Sequence, residues 1–101
     1  MNSENSFSFE SLTGAEKKKL RGLAQTLDAK IQIGRETELG DIVKQLEIVF
    51  KHEDLVKVRF HFPDRKRIMK LCAEIEAAAG TFCVSQVGKT AAFFKPHTEQ
   101  A

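Results

Sequence analysis

The chain has 101 residues, 42% of them hydrophobic and 30% charged, and its 16 basic against 14 acidic residues leave a net charge of +2. That length supports one folded unit with a modest core, the composition is that of an ordinary globular protein, and so even a charge balance gives no argument of its own for a polyanionic partner. No segment approaches the run of about 18 apolar residues that a bilayer-spanning helix needs, so no membrane partner is expected.

Residues 1–11, rich in Ser and Asn, are expected to form a flexible tail, and without a basic start or an apolar run they do not resemble a secretory signal. Phe7 and Phe9 stand out there, although incidental residues are the simpler reading. Thr13 followed by Glu16 is a capping-box pattern. After it, Leu20, Leu23, Ala24 and Leu27 recur with the spacing of one apolar helical stripe. A short strand at Lys30–Ile33 runs into Gly34, and a second helix follows with Leu39, Ile42, Val43, Leu46, Val49 and Phe50 inward, ending near His52. Leu55–Phe62 alternates as a half-buried strand, with Val56, Val58, Phe60 and Phe62 on one face and Lys57, Arg59 and His61 on the other. Pro63 closes it, and Asp64 is placed to cap a third helix that buries Ile68, Leu71, Cys72 and Ile75 and stops at Gly80. Two final strands around Gly88 and Lys89 make an antiparallel hairpin. The order α-β-α-β-α-β-β predicts an α/β fold, a small mixed four-stranded sheet with packed helices. One domain is expected over residues 12–96, with a short tail at 97–101.

Catalytic and metal-binding patterns are missing. His52, His61 and His97 are not at ligand spacing with cysteines or carboxylates, and no phosphate loop, dinucleotide fingerprint or nucleophile elbow occurs. Glu47, Glu74 and Glu76 belong to amphipathic helices, where a solvated face explains them. Cys72 and Cys83 lie in apolar segments without CxxC spacing, which favours reduced, buried thiols and a cytoplasmic location. No enzymatic activity, cofactor, metal or small-molecule substrate is expected.

Three clusters of positive charge are left. Lys17, Lys18, Lys19 and Arg21 crowd the first helix. Lys57, Arg59 and His61 stripe one sheet face. Arg65, Lys66 and Arg67 open the third helix, where the dipole disfavours cations by some tenths of a kcal/mol; an unfavourable placement of this kind weakly points to an anionic partner. Gly34 adds a strand-to-helix corner at which free backbone N–H groups and the dipole could receive a phosphate. Glu36, Glu38 and Asp41 oppose that role, and by these residues alone a plain structural corner is the better reading.

Four stretches, "LTGAEKKKLRGLAQTL", "IQIGRETELGDIV", "HEDLVKVRF" and "VGKTAAFFKP", in this order and at these spacings, resemble the YhbY-like family, the stand-alone bacterial form of the CRM (chloroplast RNA splicing and ribosome maturation) domain. The resemblance spans roughly residues 12–96. It implies a fold related to the C-terminal domain of bacterial translation initiation factor three. It also implies binding to RNA, with large-subunit ribosomal RNA or precursor large subunits as the expected partner, and a role in their maturation. The family's RNA-contacting loop is a GxxG motif between the first strand and the second helix, used like that of KH domains to clamp the backbone. Here Gly34 stands at the first glycine and Thr37 at the second, where its hydroxyl could cap the second helix or meet a phosphate. The expected RNA-contacting set is therefore Lys17, Lys18, Lys19, Arg21, Gly34, Arg35, Thr37, Lys57, Arg59, Arg65, Arg67 and Lys89, in a monomer. The alternative is a protein-interaction module that keeps the fold and has weakened or lost RNA binding; the two differ in whether the basic clusters converge on one face.

Overall fold

The computed structural model describes residues 13–95; Phe7, Phe9, His97 and the two expected tails lie outside them. The elements run α1 (Gly14–Thr26), β1 (Ala29–Ile33), α2 (Leu39–Phe50), β2 (Leu55–Phe60), α3 (Arg65–Ala79), β3 (Phe82–Val87) and β4 (Thr90–Phe94). The sheet order is β1-β2-β4-β3, with β1 parallel to β2 and the other pairs antiparallel. This is the mixed four-stranded α/β architecture that the alternating pattern implies.

Side-chain alternation divides the sheet into two layers. Ile31, Ile33, Val56, Val58, Phe60, Ala91 and Phe93 point to one face and pack with Ile42, Leu46 and Phe50 of α2 and Ile68, Cys72 and Ile75 of α3. On the other face Ala24 of α1 packs with Val84 and Ala92, flanked by Leu20, Leu55 and Phe94. The second layer is much the smaller, and Leu23, expected on the buried stripe of α1, is 47% exposed. One helix over a sheet four strands wide covers only part of it, so α1 buries a narrower stripe than its leucines suggest.

Local signals set most element ends. The Thr13 hydroxyl accepts from the Glu16 N–H at 3.1 Å while the Glu16 carboxylate accepts from the Thr13 N–H at 2.8 Å, the reciprocal capping box. Gly80 ends α3 in the left-handed region at φ 66°, a conformation glycine enters without a Cβ penalty. Asp64 stands at the N-cap of α3 but makes no side-chain cap hydrogen bond; its carboxylate lies 3.5 Å from Arg35. Cys72 and Cys83 are free thiols, Cys72 buried and Cys83 half-buried. The hydrogen bond they share, together with burial, pushes Cys72 far above the ordinary thiol range, and the same bond lowers Cys83.

Phe93 is fully buried in the larger layer. Phe93→Ala is expected to lower stability by about 3–5 kcal/mol, the usual cost of truncating a buried aromatic, read as a reduced midpoint in urea denaturation.

Candidate nucleic-acid interface

Parallel β1 and β2 both end at the same edge of the sheet, and the ladder continues one step past β2 through the His61 N–H donating to the Ile33 carbonyl at 2.8 Å. The chain must turn there to enter α2. The turn is four residues long and closed at both ends: the Gly34 N–H donates to the Thr37 hydroxyl at 2.8 Å, and the Thr37 N–H donates to the Gly34 carbonyl at 3.2 Å. Two expectations are corrected by this. Thr37 does not cap α2, whose N-cap is Glu38 without a side-chain cap hydrogen bond. Gly34 offers no free N–H, because its amide is already satisfied within the turn. The amides at the tip, those of Arg35 and Glu36, donate to no described backbone carbonyl, and the Thr37 hydroxyl keeps its own proton to give.

Two arginines gather on one aromatic ring beside the tip. Phe62 follows β2 and is buried, 1% exposed, against Phe60 in an edge-to-face contact at 5.8 Å. The Arg67 guanidinium lies 4.6 Å from the Phe62 ring centre and that of Arg35 5.9 Å from it, within range of cation–π attraction. Arg67 Nη2 also donates to the Arg35 carbonyl. The first turn of α3 is thus clipped to the loop through a ring that both cations cover. This accounts for positive charge where the α3 dipole disfavours it: Arg67 works as a brace.

Two grooves flank the loop. One, lined by Gly34, Arg35, Glu36, Thr37, Asp41, Lys44 and Gln45, lies along α2. The other, of about 280 Å³, lies between α2 and α3 and is lined by Thr37, Leu39, Arg67, Lys70, Leu71 and Glu74. Lys44 and Lys70 therefore join the cationic set, and sequence reasoning missed both. The signal for Lys70 was its i+3 spacing from Arg67, which puts both on one helical face. Glu36, Asp41 and Glu74 line the same grooves, so the cations are interspersed with carboxylates.

The remaining expected residues sit elsewhere. Arg65 is exposed at the first position of α3. Lys89 is exposed in the β3–β4 turn, at the same end of the sheet as the loop, its carbonyl accepting from the Phe60 N–H at 2.7 Å. Lys57 and Arg59 lie on the α1 side of the sheet, opposite the larger core. Arg21 Nε donates to the Val84 carbonyl at 3.3 Å and so ties α1 to β3. Leu20 packs against the small cluster of Ala24, Val84 and Ala92, so the helix that carries Lys17, Lys18 and Lys19 lies on the face of the sheet opposite α2 and α3. The structure brings Arg35 and Arg67 together and leaves the α1 cluster in another layer, so the basic clusters do not all converge on one face, the arrangement expected of the protein-interaction alternative.

Residues 12–95 match the family model of the CRS1 / YhbY (CRM) domain. The fold is similar to the solution structure of a hypothetical protein from Staphylococcus aureus described as a candidate RNA-binding protein, with a TM-score of 0.75 and 24% sequence identity over 89% of this chain and 94% of that one.

The turn geometry sets what a substitution at each of its residues costs in stability. Gly34 does not have a positive φ, and a Cβ there would meet only the Thr37 hydroxyl at 3.5 Å, an ordinary contact. Gly34→Ala is accordingly expected to leave thermal stability within about 0.5 kcal/mol of the native chain. Thr37→Val, which strips the acceptor from a part-buried amide, is expected to cost about 1–2 kcal/mol. Paired thermal melts check both, and the reverse order would show that the hydroxyl does not close the turn.

Proposed function

The chain belongs to the CRS1 / YhbY (CRM) domain family, and on that premise we propose that it is a non-enzymatic RNA-binding protein that assists maturation of the large ribosomal subunit by contacting its structured RNA. The observation that carries the reading is the braced turn. It presents two backbone amides, a threonine hydroxyl and the Arg35 side chain at the mouth of a helix N-terminus, the groups that receive a phosphate. Gly34 keeps the approach open, since nothing in the fold itself calls for the missing side chain.

Arg35 and Thr37 contact phosphate directly in this reading, with Lys44 and Lys70 extending the track to either side. Arg67 positions the turn. Lys89 and Arg65 contribute at the margin, and Lys57 and Arg59 on the adjoining face. Lys17, Lys18 and Lys19 belong to the helix on the opposite face of the sheet from α2 and α3; they add general attraction or meet a separate RNA segment. The carboxylates among the cations keep the net attraction modest.

Fluorescence anisotropy with fragments of large-subunit ribosomal RNA tests the reading. Arg35→Glu is expected to weaken binding about tenfold or more and Lys89→Glu only about twofold, since one is a phosphate contact and the other a marginal charge. The slope of log affinity against log salt is expected near −2 to −4, corresponding to a few neutralised phosphates. Gly34→Ala is expected to weaken binding while leaving stability unchanged. Equal effects of Arg35→Glu and Lys89→Glu, or a flat salt profile, would overturn the role of the turn and favour a protein-interaction module instead.

A further inference from the structure

Strand order and register create a feature on the α1 side of the sheet that no single segment of sequence contains. Gln32 pairs with Arg59, Arg59 with Thr90, and Thr90 with Val87. These four residues form one row across the sheet, spaced by about 4.8 Å per strand. Gln32, Arg59 and Val87 are exposed, and Val87, at 63%, is among the most exposed large apolar residues described. Where the row meets α1 there is a cleft of about 280 Å³, lined by Ala24, Gln25, Lys57, Ser85, Val87, Thr90, Ala91 and Ala92.

The chemistry of this cleft is specific. Ala24 and Ala92 give it a small-residue floor, with the backbone of Ala91, whose side chain belongs to the larger core, beside them. Gln25, Ser85, Lys57 and Thr90 ring it with an amide, two hydroxyls and an ammonium. The side chains of Gln25, Lys57 and Arg59 hydrogen-bond to no described residue. The Thr90 hydroxyl donates to the Val87 carbonyl at 2.9 Å, which leaves its lone pairs free to accept. Pockets for drug-sized ligands run about 300–1,000 Å³, so this one suits a single small, flat group.

We propose that the cleft holds one unstacked nucleobase of an RNA strand lying along the Gln32–Arg59–Thr90–Val87 row. The inference rests on the RNA-binding reading and assigns it a second contact that meets a base. The flat ring lies between Val87 and the alanine lining, its edge meets Gln25, Ser85 and Thr90, and Arg59 and Lys57 take the flanking phosphates. A base inside a perfect duplex has its edge paired and its faces stacked, so the cleft admits only bases from single-stranded loops, bulges or ends. The braced turn, by contrast, meets only the backbone.

Backbone-amide NMR on the full chain separates the two contacts. The probes are a short single-stranded RNA with all four bases, a perfectly paired RNA duplex, and inorganic phosphate. The single strand is expected to shift the amides of Gln25, Ser85, Val87 and Thr90 together with those of Arg35 and Glu36; duplex and phosphate are expected to shift only the latter two. Ser85→Leu, which fills the cleft, and Val87→Ser, which removes its apolar wall, are both uncharged changes. Each is expected to weaken single-strand binding about five- to tenfold, the lower part of the range for loss of one base contact, and to change duplex binding less than twofold. Val87 is exposed, so its variant keeps the test valid should Ser85→Leu not fold. Shifts at Arg35 and Glu36 without shifts at the cleft would overturn the cleft and spare the turn, as would equal cleft shifts with duplex. No shift with either RNA would overturn both.

Discussion

The parallel pairing of β1 with β2 is the constraint from which the rest of the molecule follows. Parallel neighbours cannot be joined by a tight turn; the chain must cross back over the sheet, and α2 is that crossover. The crossing covers one face with α2, α3 arrives on the same face, and the larger core forms there. Both strands then end at one edge, and the corner from β1 into α2 sits at the carboxyl ends of the strands, where open α/β sheets generally bind ligands. The corner is a consequence of the pairing. Only its residues had a choice.

Those residues separate structural need from function. The turn is closed by Thr37 at both ends and braced by Arg67 through Phe62, so it does not depend on flexibility at Gly34. Glycine usually earns its place through a positive φ or a close internal contact. Gly80 and Gly88 have the first; Gly34 has neither. In the proposed reading the space left open at Gly34 is where a phosphate approaches the turn. Thr37, at the position of the motif's second glycine, replaces conformational freedom with a hydrogen bond.

Elements were legible in the sequence wherever a local rule sufficed. The alternation of Val56, Val58 and Phe60, the Thr13–Glu16 box and the stop at Gly80 depend on neighbours in the chain, and each stands where the pattern puts it. What escaped was the choice of hydrogen-bond partner. Asp64 is a good capping residue and Thr37 another, but each found a competitor for its oxygen that only the fold brought near: Arg35 for one and the Gly34 amide for the other. Leu23 fits a helical stripe yet stays exposed, because the stripe's width depends on how much sheet α1 covers. The cleft was illegible for a different reason. Gln25, Lys57, Ser85 and Thr90 come from four elements, and β4 must be inserted between β2 and β3 before they meet.

The distribution of charge decides how such a surface can work. A polyanion drawn by charge alone would favour one continuous basic face, and the described residues do not form one: carboxylates line the grooves beside the turn, and the α1 lysines occupy another layer. With attraction modest, discrimination has to come from shape and from groups that a wrong partner would leave unpaired. In the proposed reading the braced turn accepts a phosphate only at one angle, and the amide and hydroxyls on the rim of the cleft reward only a ring whose edge is free. Two weak contacts on one rigid sheet then act together, because the second is made within reach of the first and the ordering cost of the protein is already met.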